Sequence, residues 1–201
     1  LHHNDRPLKG FDSELTKELI DHLRKRGIHI HLNESVEKIS KQDQQLALSL
    51  TSGGTMTVDR VFCAAGRLPN VADMGLETIG VDYTKKGIVV NDHLQTSVAT
   101  IYALGDCLQK SAPKLTPVAS FEGSYLAQLL GGTTEEAIRY PVLPTIIFSS
   151  PKLAQVGLTD SEKLDPAAYQ VQTLDLTQWF TYKRVNEQFI KAKIVTEKAT
   201  G

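Results

Sequence analysis

Apolar residues near the start of the chain recur at the spacing of a helix. Leu15, Leu19 and Leu23 stand four residues apart and would share one face, which predicts a helix over residues 13–26. Asp12 directly precedes this segment, and its carboxylate is suited to accept hydrogen bonds from the first free N–H groups of the helix. A glycine after the last turn, with basic residues just before it, is typical of a helix end.

Short apolar runs bounded by turn residues predict several strands. They lie at residues 28–32, 36–39, 46–51, 61–65, 88–90, 96–104, 170–174 and 189–195. Residues 28–32 alternate with histidines, as a half-buried strand would, whereas residues 61–65 carry no charge and suit a strand covered on both faces. A second helix is predicted from Thr116 or Pro117 to about Leu130, because proline is favoured in the first turn and two glycines follow. Thr159–Glu162 fits a capping box that opens a further helix.

The predicted strand at residues 96–104 ends at Gly105 and is followed by Asp106. Glycine allows a sharp turn and a close approach of a ligand to the backbone. Ligands of open α/β sheets bind just past the carboxyl ends of strands. A carboxylate at that place can accept hydrogen bonds from sugar-like hydroxyls. Asp106 is therefore the first candidate binding residue.

Composition and charge are those of an ordinary globular protein. Hydrophobic residues make up 41% of the chain and charged residues 22%, and the net charge of −1 gives no indication of a nucleic acid or anionic membrane partner. No apolar run approaches the ~20 residues that a membrane-spanning helix needs. The two cysteines, Cys63 and Cys107, form no disulfide framework, which favours a reducing, cytoplasmic location, and Cys63 is expected to be buried in its strand. The histidines have no zinc-like spacing, so we expect no metal site.

Three motifs in order resemble one flavoenzyme family. Residues 96–106 are similar to the second flavin-binding motif, residues 59–70 to the crossover from the NAD(P) domain to the FAD domain, and residues 114–123 to the start of the flavin-facing helix. The chain thus resembles class I pyridine nucleotide-disulfide oxidoreductases of the glutathione reductase and dihydrolipoamide dehydrogenase type. The resemblance implies an α/β fold (α+β overall) that uses FAD and NAD(P)H.

The resemblance also implies a domain order. Residues 1–70 would close a Rossmann-like NAD(P)-binding domain, residues 71–140 would close an FAD-binding domain, and residues 141–201 would form the first half of a dimerisation domain. We therefore expect a homodimer built through residues 141–201, with an exposed apolar face and an unpaired sheet edge in this segment.

The resemblance assigns cofactor contacts residue by residue. On the flavin, Asp106 would hold the ribityl chain of FAD, while the free N–H groups of the helix that begins at Thr116 would stabilise negative charge on the ring. Gly66 and Lys114 would line the nicotinamide side. The full set of expected cofactor-binding residues is Asp106, Thr116, Gly105, Leu115, Gly66, Lys114, His3 and Lys9.

The sequence leaves open which nicotinamide cofactor and which substrate are used. His3 and Lys9 stand where NADPH-specific glutathione reductases carry two arginines for the adenosine 2′-phosphate, so NADPH and NADH both stay open. Ser124 stands in place of a glutathione-binding arginine, which leaves dihydrolipoamide dehydrogenase, mercuric reductase and NADH oxidase types as alternatives.

The chain contains neither G-x-G-x-x-G nor the C-x4-C spacing of the family's redox-active dithiol. We therefore expect it to correspond to the middle of a longer NAD(P)H:disulfide oxidoreductase, to contain no catalytic residue and to be inactive alone. A non-catalytic FAD-binding, nucleotide-binding or dimerisation module is the alternative from another class.

Overall fold

A computed structural model describes residues 1–159, 161–187 and 189–200 of the chain. They form two compact units. The discontinuous unit consists of Leu1–Phe62 together with Pro144–Gly201, and the central unit consists of Cys63–Leu143.

The discontinuous unit begins with a loop and the predicted first helix, α1 (Ser13–Lys25). The Asp12 carboxylate accepts a hydrogen bond from the Leu15 N–H at 3.0 Å, so the predicted cap is present. Leu19 is buried on the inner face. Gly27 follows the helix with φ +87°, a left-handed conformation that glycine adopts without strain.

Three antiparallel strands follow α1 in chain order: β1 (Val36–Gln42), β2 (Gln45–Leu50) and β3 (Thr55–Val58). Leu48 and Leu50 of the middle strand, β2, are buried. The strands predicted at residues 36–39 and 46–51 are confirmed.

The rest of the discontinuous unit forms two antiparallel hairpin-like pairs. One joins β6 (Thr145–Ile147) to β7 (Leu153–Gln155), and the other joins β8 (Tyr169–Asp175) to β9 (Lys191–Glu197), with the short helix α3 (Phe180–Lys183) between the last two strands. The strands predicted at residues 170–174 and 189–195 are therefore present.

An exposed apolar face was also predicted for this segment. Val171 on β8 is 41% exposed and Ile194 on β9 is 46% exposed. Val171 pairs with Val195 and Ile194 pairs with Gln172, so these two side chains lie on opposite faces of the pair, and a single apolar face stays a prediction. Among the described strands, β8 and β9 pair only with each other. The predicted capping box includes Asp160, which lies outside the described residues, and a single 3-10 turn, Ser161–Lys163, follows it.

The central unit contains the small antiparallel pair β4 (Tyr83–Thr84) and β5 (Gly87–Ile88), a 3-10 turn Gly105–Cys107 and the helix α2 (Thr116–Leu130). Its core is a cluster of buried side chains from the loops, from β5 and from α2. These are Val71, Leu76, Val81, Ile88, Leu94, Leu108 and Leu126.

Three predicted strands are wrong. Residues 61–65 run as irregular chain with Phe62 89% exposed, residues 28–32 form only a bridge between Leu32 and His2, and residues 96–104 form only a bridge between Gln95 and Tyr102. A strand of a parallel sheet is held by neighbours on both edges, and no described segment supplies such neighbours here. The apolar runs therefore lack the partners that would make them strands. Cys63, expected to be buried, is exposed for the same reason.

No helix within the described residues is long and apolar enough to cross a membrane.

Candidate functional site

The turn that carries Asp106 lies in the central unit and is tightly shaped. Leu104 is extended, and Gly105 is buried with φ +80°, so the chain reverses there into the 3-10 turn. The predicted sharp glycine turn is therefore present, although the strand before it is not. A Cβ on Gly105 would lie 3.6 Å from the Cβ of Ala119, which places the turn against the first part of α2. Asp106 itself is exposed.

The helix α2 begins beside this turn without a side-chain cap. Its N-cap residue Leu115 is extended and makes no side-chain hydrogen bond, Pro117 occupies the first turn, and that turn has no acidic residue. The start of a 15-residue helix thus keeps its partial positive charge uncompensated by its own sequence. Such an end attracts negative charge on a ligand.

Glu122 is the buried charged centre of the same unit. Its side chain is fully buried on the inner face of α2. The carboxylate accepts hydrogen bonds at 2.6 Å from the Gly105 N–H, from Lys110 Nζ and from the hydroxyl of Tyr140. Burial, together with the hydrogen bond to the Glu122 carboxylate and its negative charge, raises the pKa of Tyr140, so this hydroxyl stays protonated and donates.

Lys114 lies on the outer side of the turn. Its Nζ donates to the carbonyl oxygen of Asp106 at 2.7 Å and to that of Lys86 at 3.3 Å. By contrast, the carboxylate of Asp106 makes no hydrogen bond or ion pair with any described residue. The carboxylate of this exposed residue therefore keeps its acceptor oxygens unused within the described part of the chain.

His3 and Lys9 lie in the discontinuous unit, in the loop before α1. Lys9 pairs with Asp5 at 3.2 Å, and its hydrogen bond and charge hold the pKa of the Asp5 carboxyl below its usual value. His3 is exposed and contacts the Asn4 side-chain amide. Arg6 adds a further cation to this loop and donates to the Lys9 carbonyl oxygen at 3.1 Å.

Comparison with known proteins identifies the family. Residues 1–123 match the family described as pyridine nucleotide-disulphide oxidoreductase. The chain belongs to this family. Glutathione reductase from Burkholderia cepacia is 38% identical over 82% of this chain and 36% of its own length. Dihydrolipoyl dehydrogenase from Bacillus subtilis (strain 168) is 33% identical over 79% of this chain and 34% of its own length. This pyridine nucleotide-disulphide oxidoreductase chain thus spans about a third of the curated relatives that it matches.

A solved structure has the same fold. The Cu(II) complex of HOCl-induced flavoprotein disulfide reductase RclA from Escherichia coli superposes with a TM-score of 0.90, at 24% identity, over the whole of this chain and 46% of that one. The likeness confirms the predicted α/β fold class. The resemblance to pyridine nucleotide-disulfide oxidoreductases that the three motifs indicated is likewise confirmed.

Members of the pyridine nucleotide-disulphide oxidoreductase family use FAD and NAD(P)H, and the central unit fits the flavin part of FAD. A polyol chain needs an acceptor with unused lone pairs, and Asp106 has one within the described part of the chain. A ring that carries negative charge needs a positive partner, and the uncapped start of α2 supplies it.

Gly66 and the two cysteines are further positions that the sequence analysis named. Gly66 has φ +131°, and a Cβ there would have none of the described atoms beyond its chain neighbours within 4 Å, so open space lies where a side chain would stand. Cys107 is free, and its Sγ donates to the Leu104 carbonyl oxygen at 3.1 Å, while exposed Cys63 is also free. All eight cofactor contacts that the resemblance assigned, those of Gly66 and Lys114 included, stay predictions.

Sequence reasoning missed Lys110 and Tyr140, and it noted Glu122 only as part of a motif. A usable signal was present, since Glu122 stands four residues after Val118 and four before Leu126. All three share the buried face of α2. A carboxylate on that face requires buried cationic or hydroxyl partners.

Proposed function

We propose that the chain is the central part of an FAD-dependent NAD(P)H:disulfide oxidoreductase of the glutathione reductase type. The observation that carries the proposal is the exposed carboxylate of Asp106, which has no partner among the described residues and belongs to a turn that lies against the uncapped first part of α2. When bound, FAD would supply the redox centre that takes a hydride from NAD(P)H and passes two electrons to a disulfide.

The residues of the central unit would bind and orient the flavin. Asp106 accepts hydrogen bonds from the ribityl hydroxyls, and Gly105 lets the protein backbone come close to the ribityl group. The N–H groups at Thr116 and Leu115 direct partial positive charge at the ring. Gly66 and Lys114 line the nicotinamide side.

The loop before α1 would meet the adenosine end of the nicotinamide cofactor. Lys9 offers a positive charge to a 2′-phosphate. Binding of a phosphate by Lys9 competes with its exposed pair to Asp5, which contributes little. NADPH is therefore favoured over NADH by one charge contact.

The substrate and the assembly complete the proposal. We infer a small-molecule disulfide as the substrate, with glutathione disulfide first because the similarity to glutathione reductases is higher. Ser124 at the expected arginine position keeps the dihydrolipoamide type as the second candidate.

The domain order 1–70, 71–140 and 141–201 and a homodimer through the last segment belong to the same proposal. Exposed apolar residues in this segment support it, namely Val142, Ile146, Phe148, Val156 and Leu158.

A flavin titration followed by NMR tests the proposal, because it detects weak binding. Riboflavin added to the isotope-labelled chain should shift the backbone amide signals of Gly105, Asp106 and Thr116, while ADP should leave them unchanged. Asp106→Ala should reduce the riboflavin-induced shifts at Thr116. Equal effects of riboflavin and ADP, or riboflavin shifts confined to other regions, would refute the assignment of the flavin site.

A second titration tests the nucleotide loop. NADP+ should shift the amide signals of His3 and Lys9 at lower concentration than NAD+, and Lys9→Met should remove that difference. Lys41→Met, which changes an exposed lysine of β1, is the matched control. Identical titrations with both nucleotides would remove the preference for the 2′-phosphate.

A further inference from the structure

The geometry points to Glu122 and Lys114 as positioning residues that hold the Gly105–Asp106 turn from its inner and its outer side. The inference rests on the proposed function, because it concerns the turn that would present Asp106 to a flavin. It gives Lys114 a role in the turn itself, beside the nicotinamide contact that the family resemblance suggests.

On the inner side, Glu122 binds the backbone of Gly105. Its Oε2 accepts the Gly105 N–H at 2.6 Å in a fully buried setting. This hydrogen bond fixes the residue whose φ of +80° reverses the chain. Because a carboxylate is the acceptor, the bond is charge-assisted and directional.

The other oxygen of Glu122 explains why the charge can be buried. Oε1 accepts hydrogen bonds from Lys110 Nζ and from the Tyr140 hydroxyl, each at 2.6 Å. The Lys110 side chain is only 7% exposed, so the pair compensates its charges away from water. Two donors on one oxygen orient the carboxylate and leave the other oxygen directed at Gly105.

On the outer side, Lys114 binds the carbonyl oxygen of Asp106 at 2.7 Å. A second bond to the carbonyl oxygen of Lys86 ties the same ammonium to the loop between β4 and β5. The backbone N–H of Gly105 and the carbonyl of Asp106 are thus both occupied by side chains. The Asp106 carboxylate has no partner among the described residues, so these two backbone contacts would determine where it lies.

Hydrogen exchange at the Gly105 amide tests the inner contact without any cofactor. In Glu122→Gln the single remaining oxygen can face either Gly105 or the Lys110 and Tyr140 donors. The positive charge of Lys110 should take it, and exchange of the Gly105 amide should become at least about tenfold faster. The Val81 amide, which bonds to Leu76 in the core of the same unit, reports global unfolding and should change much less. Equal acceleration at both amides, or none at Gly105, would overturn the inner assignment.

Substitutions of Lys114 test the outer contact. Lys114→Met should broaden or shift the amide signals of the turn and weaken riboflavin binding about three- to tenfold, whereas Lys114→Arg, which can still donate to both carbonyls, should restore most of it. Lys85→Met is the matched control, because Lys85 is an exposed lysine of the loop between β4 and β5 and has no partner among the described residues.

The two levels of inference fail in different ways. If the unaltered chain shows no riboflavin response at the turn, the proposed function fails, while the exchange of the Gly105 amide and the turn signals in Lys114→Met still decide the positioning roles. If riboflavin binds but Glu122→Gln and Lys114→Met match the unaltered chain in exchange and affinity, the positioning roles are wrong and the flavin site stands.

Discussion

Replacement of Lys193 by methionine should strongly destabilise the discontinuous unit. Lys193 Nζ lies 2.9 Å from Asp12 Oδ1 and 2.6 Å from Glu14 Oε2, so it connects β9 to the capped start of α1. The side chains of Lys193 and Asp12 are 7% and 8% exposed. Methionine keeps most of the packing volume and removes the charge, which leaves the Asp12 carboxylate buried without this cation.

The expected magnitude follows from burial. Removal of one partner of a buried ion pair costs about 3–5 kcal/mol. Asp12 keeps its hydrogen bond from the Leu15 N–H, and Glu14 is 46% exposed and can be hydrated, so we expect the lower end, about 3 kcal/mol. With a urea dependence of about 2 kcal/mol per molar, the unfolding midpoint should fall by about 1.5 M.

Lys191→Met supplies a control on the same strand. Lys191 pairs with Glu18, but these side chains are 35% and 29% exposed. A pair with this access to water contributes about 0–1 kcal/mol, so the midpoint should fall by less than about 0.5 M. Urea unfolding followed by circular dichroism compares the variants, and amide exchange in α1 assigns the transition to this unit. Equal losses for both variants would refute the reasoning from burial.

The stabilising effect of Lys193 should depend on pH in one direction. Burial lowers the pKa of Lys193, but hydrogen bonds to Glu14 and Asp12 and their negative charges outweigh it and raise the pKa above 10.5. A raised lysine pKa contributes stability that is complete below the unfolded value and is lost as the pH rises through the folded value. The difference between the unaltered chain and Lys193→Met should therefore be constant from neutral pH up to 10.5, where the carboxylates of Asp12 and Glu14 stay ionised, and shrink at higher pH.

Three further predictions concern single residues. Gly105→Ala should lower the free energy of unfolding by about 1–2 kcal/mol because of the positive φ alone, since its Cβ would make only an ordinary 3.6 Å contact. Gly123→Ala, whose Cβ would stand in open space on α2, should raise the free energy of unfolding by up to about 1 kcal/mol, and chemical denaturation measures both changes. Gly87→Ala should perturb the central unit much more, because its Cβ would lie 2.3 Å from a backbone oxygen, and loss of dispersed NMR signals would report it. Hydrogen bonds from hydroxyl and amide donors lower the pKa of Glu34 to about 2, so its contribution to stability should be present above pH 4.5 and be lost as the pH falls towards 2; an unshifted Glu34 titration in NMR would contradict this.

Local signals in the sequence located the two long helices, α1 and α2, and predicted the strands unevenly. The Asp12 cap and the apolar spacing of Leu15, Leu19 and Leu23 act within a few residues, so α1 could be located from the sequence alone. Proline and glycine located α2 in the same way. The runs at residues 61–65 and 96–104 depend on strands elsewhere, and a local pattern cannot show whether such neighbours are present.

In the candidate site, too, the residues adjacent in the sequence were predictable and the long-range contacts were not. Gly105 and Asp106 were predictable because a glycine turn and the carboxylate after it are adjacent in the sequence. The partners of Glu122 were not, since Lys110 precedes it by 12 residues and Tyr140 follows it by 18, and only folding brings them to one carboxylate. A buried charge on an otherwise apolar helix face predicts that partners are required, without identifying them.

The two buried ion pairs, Lys193–Asp12 and Lys110–Glu122, each include a carboxylate that also accepts a hydrogen bond from a backbone N–H. Lys193 binds the cap that directly follows the loop of Lys9, and Lys110 binds the carboxylate that holds Gly105. A buried pair replaced on both sides by apolar residues often leaves stability unchanged or higher, so stability alone does not account for either pair. What an apolar pair could not supply is a directed acceptor for one backbone N–H, at Leu15 in one unit and at Gly105 in the other. We therefore infer that both pairs specify local geometry, at the start of α1 and at the Gly105–Asp106 turn, and that their stabilising effect is seen when only one partner is removed.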